Sequence, residues 1–243
     1  MEQLEVLQEQ MHSVQAAVGK VVMGQAEATK LLLVAVLAGG HVLLEDLPGT
    51  GKTTLAKTVA RCLGCSFQRI QFTPDLMPGD VTGYTYFDQK EQIFKFRQGP
   101  VMSNIVLADE INRAIPRTQS SLLECMGEGQ VTVDGVTRVL PRPFVVIATQ
   151  NPIEQEGTFP LPEAQLDRFL VCLSLGYPSE TDEEQMLLAH AGSDPLETVE
   201  AILSPGRIED FRLLCRQVRV EASLRAYILN ICRSTRSHPS IVV

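Results

Sequence analysis

The sequence predicts an α/β fold in which parallel strands alternate with helices. Two observations carry this expectation. Apolar runs of strand length, at His41–Leu44, Ser66–Phe72, Asn104–Glu110, Phe144–Thr149 and Phe169–Leu175, are separated by longer stretches with helical spacing. Near-continuous apolar runs of this kind suit strands buried on both faces. Two of the runs also end in polar chemistry. The first passes into a Gly/Pro-broken turn and Lys52-Thr53-Thr54, and the third ends in the adjacent acids Asp109 and Glu110.

The chain has 243 residues, 44% of them hydrophobic, which is enough for one large domain or one plus a small one. A net charge of −8 argues against a sequence-independent nucleic-acid binder, which needs a basic surface. The longest apolar run, Leu31–Ala38, stops at Gly39-Gly40, well short of a membrane span. Residues 1–10 are polar and acidic, so they are not expected to be a signal peptide. Five of the six cysteines fall within apolar patterns. They are expected to be small buried hydrophobes in a reducing, cytoplasmic setting. Cys62 and Cys65 form a C-x-x-C, but the pair sits where a helix should stop at Gly64, and no second pair stands at zinc-ligand spacing.

Residues 2–18 repeat apolar positions at three- and four-residue spacing, and Gln25–Ala38 is a second, more buried helix. Between them, Val21-Val22-Met23-Gly24-Gln25 is a short apolar turn. It is either simple packing or, through Val22 and Gly24, an apolar wall for an adenine ring.

The strand at His41–Leu44 leads into Asp46-Leu47-Pro48-Gly49-Thr50-Gly51, and a helix opens on Lys52. Glycines let the backbone approach a ligand closely. The free N–H groups and positive dipole end of the helix that follows suit phosphate. In this pattern Lys52 reaches the outer phosphates and the Thr53 hydroxyl ligates Mg2+. The phosphate-loop pattern has a glycine where this chain has Asp46; aspartate tolerates positive φ better than most residues, so the turn is expected to survive.

Residues 83–87 and 93–96 alternate, are rich in aromatics and flank a polar loop, which predicts a β-hairpin. Asn104–Glu110 predicts a buried strand whose end places Asp109 to hold Mg2+ and Glu110 to polarise an attacking water. Pro116–Met126 is a helix with proline in its first turn, and Gln130–Val139 is a hairpin with an Asp-Gly turn. Phe144–Thr149 is a further buried strand. The amide that follows, in Gln150-Asn151, can orient water or contact a terminal phosphate. Gly176-Tyr177-Pro178 breaks the pattern, and helices are expected from about Ser179, Arg207 and Glu221. A domain boundary is therefore placed between 1–176 and 177–243.

The segments HVLLEDLPGTGKTTLAK, IQFTPDLMPGDVTG, LADEINRA, QSSLLECM, VTVDG, ATQNPIEQEGTFPLPEAQLDRFL and LGYPS cover residues 20–180 almost continuously. In their order they resemble the AAA+ P-loop ATPases, and within them the MoxR family. The resemblance implies a five-stranded parallel sheet between helices with β-hairpin insertions and a C-terminal helical lid. It implies ATP and Mg2+ as cofactors, bound by residues 46–54. Asn151 matches the sensor that faces the terminal phosphate. Arg168 matches the arginine finger that acts on ATP held by a neighbouring subunit, with Arg113 better suited to a structural ion pair. A homo-oligomeric ring, usually a hexamer, would complete the site. The partner would be a client or von Willebrand factor A domain protein, remodelled or loaded with a metal or cofactor. The family continues with a Gly-Ala-Ser-Pro-Arg segment carrying a second sensor arginine, so the lid is expected to be truncated here. Two alternatives are a non-hydrolysing regulatory subunit and a DNA-translocating motor; the net negative charge and the few basic residues of the hairpins disfavour the motor.

Overall fold

The structure, a computed structural model, describes residues 2–152, 157–189, 194–239 and 241. Ile153–Glu156 of the segment 148–170, and Ser240, Val242 and Val243 at the chain end, lie outside the described residues. Helices α1 (Glu2–Gly19) and α2 (Ala26–Ala38) precede strand β1 (Val42–Glu45). Then follow α3 (Lys52–Cys62), β2 (Phe67–Gln71), α4 (Pro78–Thr82), the hairpin β3 (Gly83–Asp88) and β4 (Ile93–Gln98), and β5 (Ile105–Asp109). Helix α5 (Pro116–Glu128) leads to the hairpin β6 (Gln130–Val133) and β7 (Val136–Val139), then β8 (Val145–Gln150), α6 (Glu163–Leu166) and β9 (Val171–Leu173). Helices α7 (Glu180–Ala189), α8 (Pro205–Arg216) and α9 (Ala222–Thr235) complete the order.

Five strands form one parallel sheet in the order β2-β5-β8-β1-β9. Alternate residues of each central strand enter opposite cores. Val42, Leu44, Ile105, Leu107, Val145 and Ile147 pack with α1, α2, α3 and α8. Leu43, Val106, Ala108, Val146 and Ala148 pack with α5 and its neighbours. Burial on both faces is why these strands read as unbroken apolar runs. Both hairpins stand apart from the sheet. Asp134 at φ 52° and Gly135 at φ 75° supply the two positive-φ residues of a type I′ turn. The Arg138 guanidinium lies 3.7 Å from the centre of the Phe96 ring and joins the two hairpins.

Three expectations are corrected. The last strand is shorter than Phe169–Leu175: it ends at Leu173, because the Leu175 N–H is taken by the Asp46 carboxylate instead of a neighbouring strand. Among the cysteines only Cys62 and Cys125 are buried; Cys65 and Cys215 are half-buried, and Cys172 and Cys232 are exposed. On the edge strand β9, Val171 and Leu173 pack on the core below α2, which turns Cys172 outward, and no residue of α9 is buried. Asp46 does not use positive φ: among the described non-glycine residues only Gln92, Glu110 and Asp134 do. Its carboxylate has another task, set out below.

The end of α3 behaves as the glycine predicted. Gly64 is left-handed at φ 62°, and the N–H groups of Gly64 and Cys65 return to Arg61 and Ala60. Burial pushes the Cys62 and Cys65 thiols up to about 11, so neither is poised as a thiolate. Helix α8 packs on α2: Phe211 is buried and the Arg212 Nε donates to the Val36 carbonyl at 2.8 Å. No helix of the described residues is long and apolar enough to cross a membrane.

Candidate nucleotide-binding site

The C-terminal ends of β1, β5 and β8 lie side by side, and the loops leaving them enclose a cavity of about 410 Å³. Ligands of open α/β sheets collect at this edge. The cavity is lined by Asp46, Pro48, Gly49, Gly51, Lys52, Thr53 and Thr54 from the loop after β1, by Asp109 and Glu110, and by Thr149, Gln150 and Asn151. Arg69 and Gln71 of β2 close one side.

Gly49 and Gly51 sit at φ 85° and 84°, where side chains are strained, and a Cβ at either would meet nothing within 4 Å. The loop therefore bares its backbone to open space. Helix α3 starts at Lys52 with no side-chain cap and no acid in its first turn. Its first N–H groups are left for an anion. The Lys52 ammonium donates to the carbonyls of Asp46 at 2.9 Å and Leu47 at 2.5 Å. Burial draws its pKa below the ordinary lysine value, against the opposing charges of Asp46, Asp109 and Glu110.

The acids at the end of β5 belong to one connected network. Asp109 Oδ1 accepts from the Thr149 hydroxyl at 2.6 Å, and Oδ2 accepts from Arg69 Nε and Nη2 at 3.0 and 2.6 Å. Arg69 also donates to Gln71 Oε1, and Gln71 Nε2 donates to Glu110 Oε2 at 2.8 Å. Arg113 Nε lies 3.2 Å from the same Glu110 oxygen, the structural ion pair expected of it. Glu110 itself is left-handed at φ 56°, ψ 49°, held there by its N–H bond to Thr149 Oγ1 at 2.8 Å. Such a backbone costs about 1–3 kcal/mol and is typical of functional sites.

A second cavity, of about 530 Å³, opens on the other side of the same loop and shares Gly49, Gly51, Thr53 and Thr54 with the first. Val21, Val22, Met23, Tyr177, Pro178 and Met186 give it apolar walls, and Thr50 lies on its rim. A polar cavity and an apolar one joined by a phosphate loop match the two ends of a nucleoside triphosphate. Among the described residues no group of three or more His, Cys, Asp or Glu is placed to hold a metal. The Thr53 hydroxyl and the Asp109 carboxylate line the same cavity, and hard oxygen donors of this kind fit Mg2+.

Of the residues singled out from sequence, the chain brings Asp46, Pro48, Gly49, Gly51, Lys52, Thr53, Thr54, Asp109, Glu110 and Asn151 to the first cavity, and Val22 and Thr50 to the second. Leu47 and Gly24 line neither. Leu47 offers its carbonyl to Lys52, and Gly24 turns at φ 76° against Pro178 and Asp182. Arg168 also lines neither, and its Nη1 donates to the Leu123 carbonyl at 2.7 Å. Sequence reasoning missed Arg69, Gln71 and Thr149. The one available signal was two polar residues alternating at the end of a strand that neighbours the acids.

A P-loop α/β ATPase fold is therefore defined by the sheet order and the site together. Residues 41–171 match the ATPase family associated with various cellular activities (AAA). The chain is 52% identical over 227 residues to the uncharacterised protein YeaC of Bacillus subtilis, covering 92% of this chain and 70% of that protein. It is 43% identical to Chaperone MoxR1 of Mycobacterium tuberculosis, covering 96% of this chain and 62% of MoxR1. A crystal structure of a candidate ATPase from Cytophaga hutchinsonii superposes with a TM-score of 0.84 at 40% identity, covering 97% of this chain and 73% of that one. The chain belongs to the MoxR family of AAA+ ATPases.

Proposed function

We propose that this chain binds and hydrolyses ATP with Mg2+, and that turnover drives chaperone-like remodelling of a partner protein or insertion of a metal or cofactor into it. The observation that carries the proposal is the meeting of Lys52, Thr53, Asp109, Glu110 and Asn151 around one cavity at the end of the sheet. Lys52 and the free N–H groups of the loop would bind the phosphates. Thr53 and Asp109 would hold the ion, which would supply neutralisation of the charge that develops on the phosphates. Glu110 would take the proton of the attacking water, and Asn151 would orient that water. Arg168 lies outside both cavities of its own chain, which supports a role in trans, with the site shared between subunits of a hexameric ring. The division of the chain at 176 into a nucleotide-binding core and a helical lid segment is part of the same proposal. The name of MoxR1 supports the chaperone assignment, and a client or von Willebrand factor A domain protein is the proposed partner. A cytoplasmic setting is proposed, since six free cysteines suit a reducing compartment.

One observation favours a second possibility, a nucleotide-binding subunit that does not turn over. Both acids are engaged by the chain's own groups, Asp109 by Arg69 and Glu110 by Gln71 and Arg113. ATP turnover by wild type beside Glu110→Gln decides between them. The ATPase proposal expects phosphate release by wild type and its loss in the variant. Equal background rates in both, with ATP still bound, select the second.

A further inference from the structure

The Asp46 side chain is buried, and both of its carboxylate oxygens accept main-chain N–H bonds. Its Oδ1 accepts from the N–H of Leu47 at 2.8 Å, within the phosphate loop. Its Oδ2 accepts from the N–H groups of Leu175 at 2.7 Å and Gly176 at 2.8 Å. These two residues stand where the chain leaves β9 and turns, with Gly176 at φ 65°, toward Tyr177 and Pro178 on the wall of the second cavity. The Leu175 carbonyl is held as well: Gln25 Nε2, buried, donates to it at 3.0 Å. Gln25 is the residue just before α2 and also lines the second cavity. The exit from the sheet is thus clamped by one residue from each of the two loops that border the cavities.

The same residue is tied to Lys52. The ammonium donates to the main-chain carbonyls of Asp46 and Leu47. An anion in the cavity competes with these carbonyls for the lysine protons. When Lys52 turns to a phosphate, the 46–47 and 47–48 peptides each lose a charge-assisted hydrogen bond, and the Asp46 carboxylate beside them carries the change to Leu175 and Gly176.

We propose that Asp46 is a positioning residue that couples occupancy of the phosphate loop to the chain exit at Leu175–Gly176, and through it to the placement of Tyr177 and Pro178 against the second cavity. The coupling rests on the nucleotide-binding function proposed above; the tie itself does not. Asp46 therefore stands at a glycine position of the phosphate loop for its side chain, not for its backbone freedom.

Asp46→Gly tests this, because glycine is the residue the phosphate-loop pattern itself uses there. Asp46→Asn, which keeps the volume but replaces one acceptor oxygen with a donor, serves as the second variant, and circular dichroism melts establish that each is folded. Backbone hydrogen exchange is followed at Leu175–Tyr177 by peptide mass spectrometry, with and without Mg-ATP, beside calorimetric ATP binding. Without nucleotide, exchange there is expected to be about tenfold faster in Asp46→Gly than in wild type. In wild type Mg-ATP is expected to shift exchange at these amides, and in the variants that shift is lost. Unchanged exchange in nucleotide-free Asp46→Gly overturns the tie. A nucleotide-induced shift as large in the variants as in wild type overturns the coupling, even if basal exchange has changed. Failure of wild type to bind ATP removes the coupling and the proposed function together, whereas the nucleotide-free comparison still decides the tie.

Discussion

The Gln71 side-chain amide donates to the Glu110 carboxylate at 2.8 Å, across the gap between β2 and the end of β5. The register Gln71↔Asp109 makes this possible, since it places the last residue of β2 beside the start of the acidic turn. The same carboxylate oxygen lies 3.2 Å from Arg113 Nε, so a water reaching it competes with two groups the chain already supplies. Replacing Gln71 by Leu is expected to raise basal ATP turnover roughly 2–5-fold with little change in KM. Steady-state phosphate release checks this, and a fall in rate would show that Gln71 holds Glu110 in its working position instead.

Lys52→Ala is expected to weaken ATP binding about 10–100-fold, the worth of one or two charge-assisted hydrogen bonds to phosphate. Titration calorimetry reads this directly. Fluorescence melts run in parallel separate lost affinity from lost fold.

Arg168→Ala should leave ATP affinity within about twofold of wild type, because Arg168 lines neither cavity of its own chain. Turnover should fall about 10³-fold if the arginine works in trans. Mixing Arg168→Ala with Glu110→Gln is expected to restore part of the rate, since some shared sites would then hold an intact Glu110 and an intact Arg168. Turnover that stays absent in every mixture rules out the shared site.

His41 is buried, and its Nδ1 accepts the Val146 N–H at 3.0 Å, so the proton sits on Nε2 facing the Met126 carbonyl at 3.2 Å. Burial lowers its pKa from 6.5 to about 4, against the Met126 carbonyl and with help from Arg212. The unfolded chain therefore binds this proton more readily than the folded one. The contribution to stability is full above pH 6.5 and is lost as pH falls toward 4, amounting to about 3 kcal/mol. Urea midpoints at pH 7.5 and 4.5 should differ less in His41→Gln than in wild type.

The buried strands were legible because both faces of the sheet are covered, which writes each strand into the sequence as an apolar run. The loop at 46–54 and the acids at 109–110 were legible because their chemistry is packed into consecutive residues. What escaped detection depends on register. Arg69 and Gln71 are ordinary polar residues until β2 pairs with β5, and Thr149 gains meaning only when its hydroxyl meets Asp109 at 2.6 Å. Asp46 was found, but for the wrong property: its partners Leu175 and Gly176 lie 129 and 130 residues away in the chain. The length of β9 went wrong for the same reason.

The Arg69–Asp109 pair gives the end of the sheet a neutralising charge of its own. Asp109 already has a counter-ion, a guanidinium at 2.6 Å, before any metal arrives. Under the proposed function, Asp109 would hold the cation while its Oδ2 is already engaged by Arg69 and its Oδ1 by Thr149. Arg69 also lines the first cavity, so a triphosphate bound there would offer the guanidinium other anionic oxygens. The charge balance at Asp109 would then be set by whether the cavity holds an anion as much as by any cation beside it.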